Sequence, residues 1–146
     1  MAEGDEAAVT IGLRQYRADL RGEVETGGGF LEKLTFRAGY ADYQHTEFEG
    51  ADVGTIFKSQ GFEGRAEAAQ ANRNGWRGAS GIQYMSRDFE AIGAEAFVPP
   101  NRTRQLGLFT LQEFDLGGVH LEAALRYDRV SQEAQTLGIT RNYNTM

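Results

Sequence analysis

Cysteine is absent from the 146 residues, and proline and histidine occur twice each. Without cysteine there is no disulfide framework, no thiol nucleophile and no thiolate metal site. Two imidazoles, His45 and His120, exclude a centre built from three histidines. No stretch approaches the roughly 20 apolar residues of a membrane-crossing helix. The opening Met1-Ala2-Glu3-Gly4-Asp5-Glu6 lacks the basic and apolar segments of a signal peptide. The polypeptide as written is therefore expected in the cytoplasm, or as a piece of something longer. Fifteen Lys and Arg stand against 21 Asp and Glu, a net charge of −6. That balance, with no basic cluster, argues against a nucleic-acid partner. No nucleophile elbow, phosphate loop or dinucleotide fingerprint is present. Gly78-Ala79-Ser80-Gly81 lacks the second spacer of the elbow.

What is present is glycine, 19 residues of it, within a chain that is 40% hydrophobic. The hydrophobic pattern has period two. Leu34, Phe36, Ala38 and Tyr40 alternate with Thr35, Arg37 and Gly39; Leu121, Ala123, Leu125 and Tyr127 alternate with Glu122, Ala124 and Arg126. Successive side chains of a strand point to opposite faces, so each such segment has one apolar and one polar surface. Turn residues at Gly27-Gly28-Gly29, Asn72-Arg73-Asn74-Gly75 and Gly117-Gly118 divide the chain into hairpins. Longer links are expected at 49–54 and at 92–101, which holds Pro99-Pro100. The pattern predicts strands over roughly 8–26, 31–48, 55–71, 76–90, 103–116 and 119–134, with a further one near 137–143. The first is long enough to be bent into two. Residues 1–146 thus form one all-β domain, an antiparallel up-and-down meander of about six to eight long strands.

Strands this long exceed the roughly 9–11 residues that cross a bilayer at a tilt. Tyr40, Tyr43, Phe48, Trp76, Tyr84, Phe114 and Tyr127 lie near strand ends, as in the aromatic girdles of membrane barrels or in ordinary hairpin-end packing. Residues 65–129 resemble the barrel of TonB-dependent outer-membrane receptors. The resemblance rests on Gly75-Trp76-Arg77-Gly78, Gln83-Tyr84, Ser86-Arg87-Asp88-Phe89, the run from Ala94 through Phe97-Val98-Pro99-Pro100-Asn101-Arg102-Thr103, Gly107-Leu108-Phe109, Gln112-Glu113 and Ala124-Leu125-Arg126-Tyr127-Asp128. Tyr16 to Glu23 and Gly39-Tyr40-Ala41-Asp42-Tyr43 look like the same pattern. It implies an outer-membrane parent with a barrel of about 22 strands closed by a plug. This sequence has neither a plug nor residues enough for that barrel, so transport does not carry over.

In water the same alternation favours apolar side chains inside and charged ones outside. The expected form is a small closed or nearly closed, lipocalin-like barrel, not inserted in a membrane and completed if need be by a homodimer. Its interior would gather Phe36, Tyr40, Phe62, Trp76, Ile82, Tyr84, Leu121, Leu125 and Tyr127. Of these, Phe36, Tyr40, Trp76, Tyr84 and Tyr127 are the candidate contacts for a hydrophobic small molecule; simple filling of the interior is the plainer alternative.

Two polar clusters could carry chemistry. His45, Glu47 and Glu49 share a strand face and could hold a divalent ion or an oriented base, against the plainer reading of a solvated strand end. With no third strong ligand, no metal or other cofactor is expected. His120 and Glu122 share another face, where a carboxylate beside histidine tunes a base or forms a surface ion pair. The expected function is a receptor-derived barrel fragment that binds a hydrophobic small molecule. The alternative is a weak, metal-independent hydrolase of activated esters or phosphoesters using His120, Glu122 and His45.

Overall fold

A computed structural model describes residues 8–93 and 96–146. The acidic opening and the Ala94-Glu95 part of the receptor resemblance lie outside the described residues. Seven strands follow one another: β1 (Val9–Glu25), β2 (Leu31–Glu49), β3 (Asp52–Arg73), β4 (Trp76–Gly93), β5 (Asn101–Asp115), β6 (His120–Ala134) and β7 (Ile139–Thr145). They form a single sheet in chain order, each antiparallel to the next. The all-β meander expected from the alternation is what forms. Hydrogen bonds do not close it: β1 and β7 are its two edges.

Turn chemistry fixes the register. Asn74 (φ 53°) and Gly75 (φ 84°) supply the two positive-φ positions of a tight hairpin between Arg73 and Trp76. The Asn72 side chain accepts the Gly75 N–H at 3.1 Å. The link expected over 49–54 is shorter than the sequence suggested. Gly50 (φ 66°) and Ala51 alone turn the chain, and Val53 to Thr55 are already in β3. A bulge between Glu47 and Phe48 absorbs the register shift. The first segment is one strand of 17 residues, not a bent pair. A 3-10 turn, Gln135–Leu137, leads into β7.

This is a sheet without an enclosed core. Among the described residues only Thr55, Ala91 and Gly107 are buried. No described helix is long and apolar enough to cross a membrane; six of the strands are longer than a bilayer-crossing strand needs.

Candidate functional site

Residues directly opposite in a ladder point to the same side of the sheet, so the register sorts every strand residue onto one of two faces. On one face Leu20, Ala38, Gly64, Tyr84 and Leu106 stand level, and Phe36, Ala66, Ile82, Leu108 and Tyr127 form the next level. The nine side chains expected to gather in an interior do share this face. They are not enclosed there: Ile82 is 44% exposed and Leu125 63%.

The apolar zone has two borders, the upper one aromatic and oblique to the strands. The upper border is Tyr16, Tyr40, Phe62, Tyr84 and Tyr127. Through the ladder, the residue of β6 level with Tyr16 is Glu133, six positions from Tyr127. Six residues at about 3.3 Å and five strand spacings of about 4.8 Å set the border at roughly 40° to the perpendicular of the strands. The lower border drops four residues from Val24 on β1 to Trp76 on β4, a similar slope, and then runs level through Phe114 to Leu121 on β6. Trp76 and Tyr84 are eight residues apart on β4, about 27 Å along the strand, or roughly 20 Å between borders at that tilt. Transmembrane barrel strands tilt by about 35–45° and carry an apolar band about 25 Å tall between aromatic girdles.

Three of the border residues have polar tips with hydrogen-bond partners. Trp76 Nε1–H donates to Gln112 Oε1 at 2.8 Å, while the ring stacks on Phe114 with centroids 6.2 Å apart. Gln60 donates to the Tyr40 hydroxyl at 2.6 Å, and the Tyr127 hydroxyl donates to Asn144 at 3.2 Å. Amphipathic rings of this kind suit a boundary between apolar and aqueous surroundings. Within the band the Phe36 ring lies over Gly22, covering backbone that glycine leaves bare.

Above the upper border the same face becomes charged. Arg14, Asp42, Gln44, Lys58, Gln60, Asp88 and Arg102 line a hollow of about 510 Å³. Arg102 grips Asp88 through two guanidinium nitrogens, and Lys58 lies 3.8 Å from Glu90. The hydrogen bond from Arg102 holds the Asp88 carboxyl below the ordinary carboxylate range, against partial desolvation.

The opposite face is polar over the height of the band. Arg17–Asp19 (2.8 Å), Arg65–Glu67 (2.7 Å), Arg77–Glu113 (2.6 Å) and Arg126–Asp128 (2.7 Å) pair along or across strands. Gln105 also donates to Asp128 at 2.9 Å, and the Arg65 guanidinium sits 4.1 Å over the Phe109 ring. A hollow of about 320 Å³, lined by Arg17, Gly39, Glu63 and Arg87 among others, opens where Gly39 and Gly61 carry no side chains.

The structure separates the candidate catalytic residues. His45 lies near the β2–β3 turn, half-buried on the polar face. It is stacked on Phe57 with centroids 4.5 Å apart, and the Tyr43 hydroxyl is 3.0 Å from its Nδ1. Glu47 Oε1 is 3.7 Å from His45 Nε2, too long for a hydrogen bond. Glu49 is exposed and turned toward Gly54. Among the described residues no group of three ligand-type side chains is placed to hold a metal ion, and His45, Glu47 and Glu49 do not form one. His120 sits at the other rim, beside the β5–β6 turn. Its Nδ1 is 2.8 Å from Asp115 and its Nε2 3.9 Å from Glu113. The acid paired with it is thus across the hairpin and not Glu122. His45 and His120 lie at opposite ends of strands four places apart in the sheet, so they cannot act on one substrate.

Of the ligand-contact candidates, Phe36, Tyr40, Trp76, Tyr84 and Tyr127 all stand on the apolar face, 36–42% exposed. They make borders and band, not the wall of a closed cavity. Tyr43, expected with the border aromatics, projects from the polar face, level with Gln15 and Ser59. The sequence reading overlooked Tyr16 as a border residue and the charged zone beyond the border. The charged zone was reachable by extending the alternation past Tyr40 and Tyr84, whereas Tyr16 joins the border only through the pairing of β1 with β2. No protein-family model matches the chain.

Proposed function

We propose that this chain forms a stretch of the wall of a transmembrane β-barrel of the TonB-dependent receptor kind, with its apolar face in lipid and its ion-paired face toward an aqueous lumen. The observation that carries this reading is the apolar zone bounded on one side by an aromatic border tilted about 40° and on the other by the border through Trp76, roughly 20 Å away at β4, close to the dimensions of a barrel's lipid-facing band. A second feature supports it. Beyond the upper border the same face carries Asp42, Lys58, Asp88 and Arg102. The inside-filled barrel would have to bury those charges at heavy desolvation cost, whereas a wall projecting past the membrane leaves them in water. Wall segments of this type seal and shape a lumen, and the separation of His45 from His120 gives the hydrolase alternative no shared site.

Reconstitution tests the proposal. The chain refolded with phosphatidylcholine vesicles is expected to float with them and to resist extraction at alkaline pH. A monodisperse species in detergent-free buffer that ignores vesicles would overturn the reading. It would return the apolar face to a protein or small-molecule cover.

A further inference from the structure

Strand β1 is an edge along its whole length. It pairs with β2 on one side, and every residue except Gly22 is exposed. Every second residue therefore turns its N–H and C=O outward, which is a template for another strand. The sequence of that edge is self-complementary. We propose that β1 pairs antiparallel with β1 of a second copy of this chain, about a two-fold axis at Leu20. The proposal goes beyond the wall reading, because a seam along the edge forms whatever covers the apolar face.

In that register Arg17 stands opposite the partner's Glu23, and Asp19 opposite the partner's Arg21, on the polar face. Tyr16 meets the partner's Val24, and Ala18 the partner's Gly22, on the apolar face, with Leu20 against its own copy. An isologous contact of this type repeats each pair twice. The intrastrand Arg17–Asp19 pair, at 2.8 Å, joins the seam as part of a ladder of alternating charge. The apolar band would continue unbroken across it.

Neighbouring registers are repelled. A slip of one position in one strand turns polar side chains onto the apolar face. Moving the axis one residue toward Asp19 sets Asp19 against its own copy and Arg17 against Arg21. Moving it to Arg21 sets Arg21 against itself and Asp19 against Glu23. Like charges directly opposite are unfavourable. An axis at Ala18 keeps Arg17 facing Asp19, but leaves Arg21 facing Gln15 and Glu23 facing Leu13.

Because the chain has no cysteine, single-cysteine variants report the register directly. Directly opposed residues have Cα atoms about 4.5–5.5 Å apart, within disulfide range, and Leu20 is 59% exposed, so its replacement disturbs no packing. Full-length Leu20→Cys in detergent micelles, under mild oxidation, is expected to give a reducible covalent dimer in clear excess over Ala18→Cys and over Leu125→Cys as a collision control. Arg17→Glu is expected to weaken dimerisation by roughly tenfold, and Arg17→Glu combined with Glu23→Arg to restore it. Leu20→Cys coupling no better than Leu125→Cys, preferential coupling through Ala18→Cys, or open-ended oligomers from β1 meeting β7 would each overturn the seam. None of those outcomes touches vesicle binding, so failure of the seam and failure of the wall reading remain distinct.

Discussion

Ala66 lies on the inner strand β3, in the middle of the apolar band, between Phe36 and Ile82. It is exposed, so an arginine there would meet no protein obstacle that needs repacking. The cost of Ala66→Arg therefore depends on what covers the face. In water, an exposed substitution shifts stability by about 0.5 kcal/mol or less. In lipid, arginine near the midplane of a barrel's outer face costs about 2–4 kcal/mol, falling to about 0–1 near the interface. The midplane cost of about 2–4 kcal/mol is a factor of roughly 30 to 900 in the folding equilibrium. Ser86→Arg, on the same face but beyond the upper border, is the matched control, since its side chain emerges level with Arg104. Guanidinium unfolding from phosphatidylcholine vesicles, with both variants and the parent, reads the difference. The reasoning predicts a gap of at least about 1 kcal/mol between the two arginines. Equal costs at both positions would refute it.

Three further outcomes follow from local geometry. Gly81→Ala would drive a methyl group to 2.5 Å from the Ala66 carbonyl oxygen and into the Phe109 ring. It should destabilise by about 1–3 kcal/mol in the same unfolding assay, whereas Gly118→Ala, with open space and no positive φ, should shift stability by less than about 0.5 kcal/mol. Asp88, outside the band, has its folded-state pKa lowered by Arg102. Its stabilisation is thus complete above the unfolded value of about 4 and is lost as pH falls through the lower folded value. With both partners more than a third exposed, Asp88→Asn should cost about 0.2–1 kcal/mol at pH 7, and the difference from the parent should vanish near pH 2. Equal differences at both pH values would count against the pair. Adding zinc to the refolded chain should leave its melting temperature unchanged, because His45 finds no two further ligands; a clear rise would contradict the separation of Glu49 from it.

The strands were legible because alternation and turn residues agree. From Leu34 to Tyr40, and from Leu121 to Tyr127, only an extended chain gives one apolar side, and Asn74-Gly75 supplies the backbone angles a hairpin needs. The Glu49–Gly54 link was misread because its glycines and acids look like loop, while a bulge at Glu47/Phe48 lets the ladder run to a two-residue turn. The site was less legible for a different reason. Sequence places His45 with Glu47 and Glu49, and His120 with Glu122, by shared face, but the distance between the two groups depends on register across five strands. The oblique upper border has the same origin. Tyr16 and Tyr127 belong to one line only once the six-residue offset between their strands is known, and no single strand contains that information.

Trp76 offers the most direct test of a lipid-covered face, as it is the only tryptophan and stands at the lower border of the band. Its fluorescence, quenched by lipids brominated at successive depths along the acyl chain, reads where that border lies. The wall reading predicts strongest quenching by bromines nearest the headgroups, with weaker quenching toward the bilayer centre. No quenching at any depth, in vesicles to which the chain is bound, would contradict it.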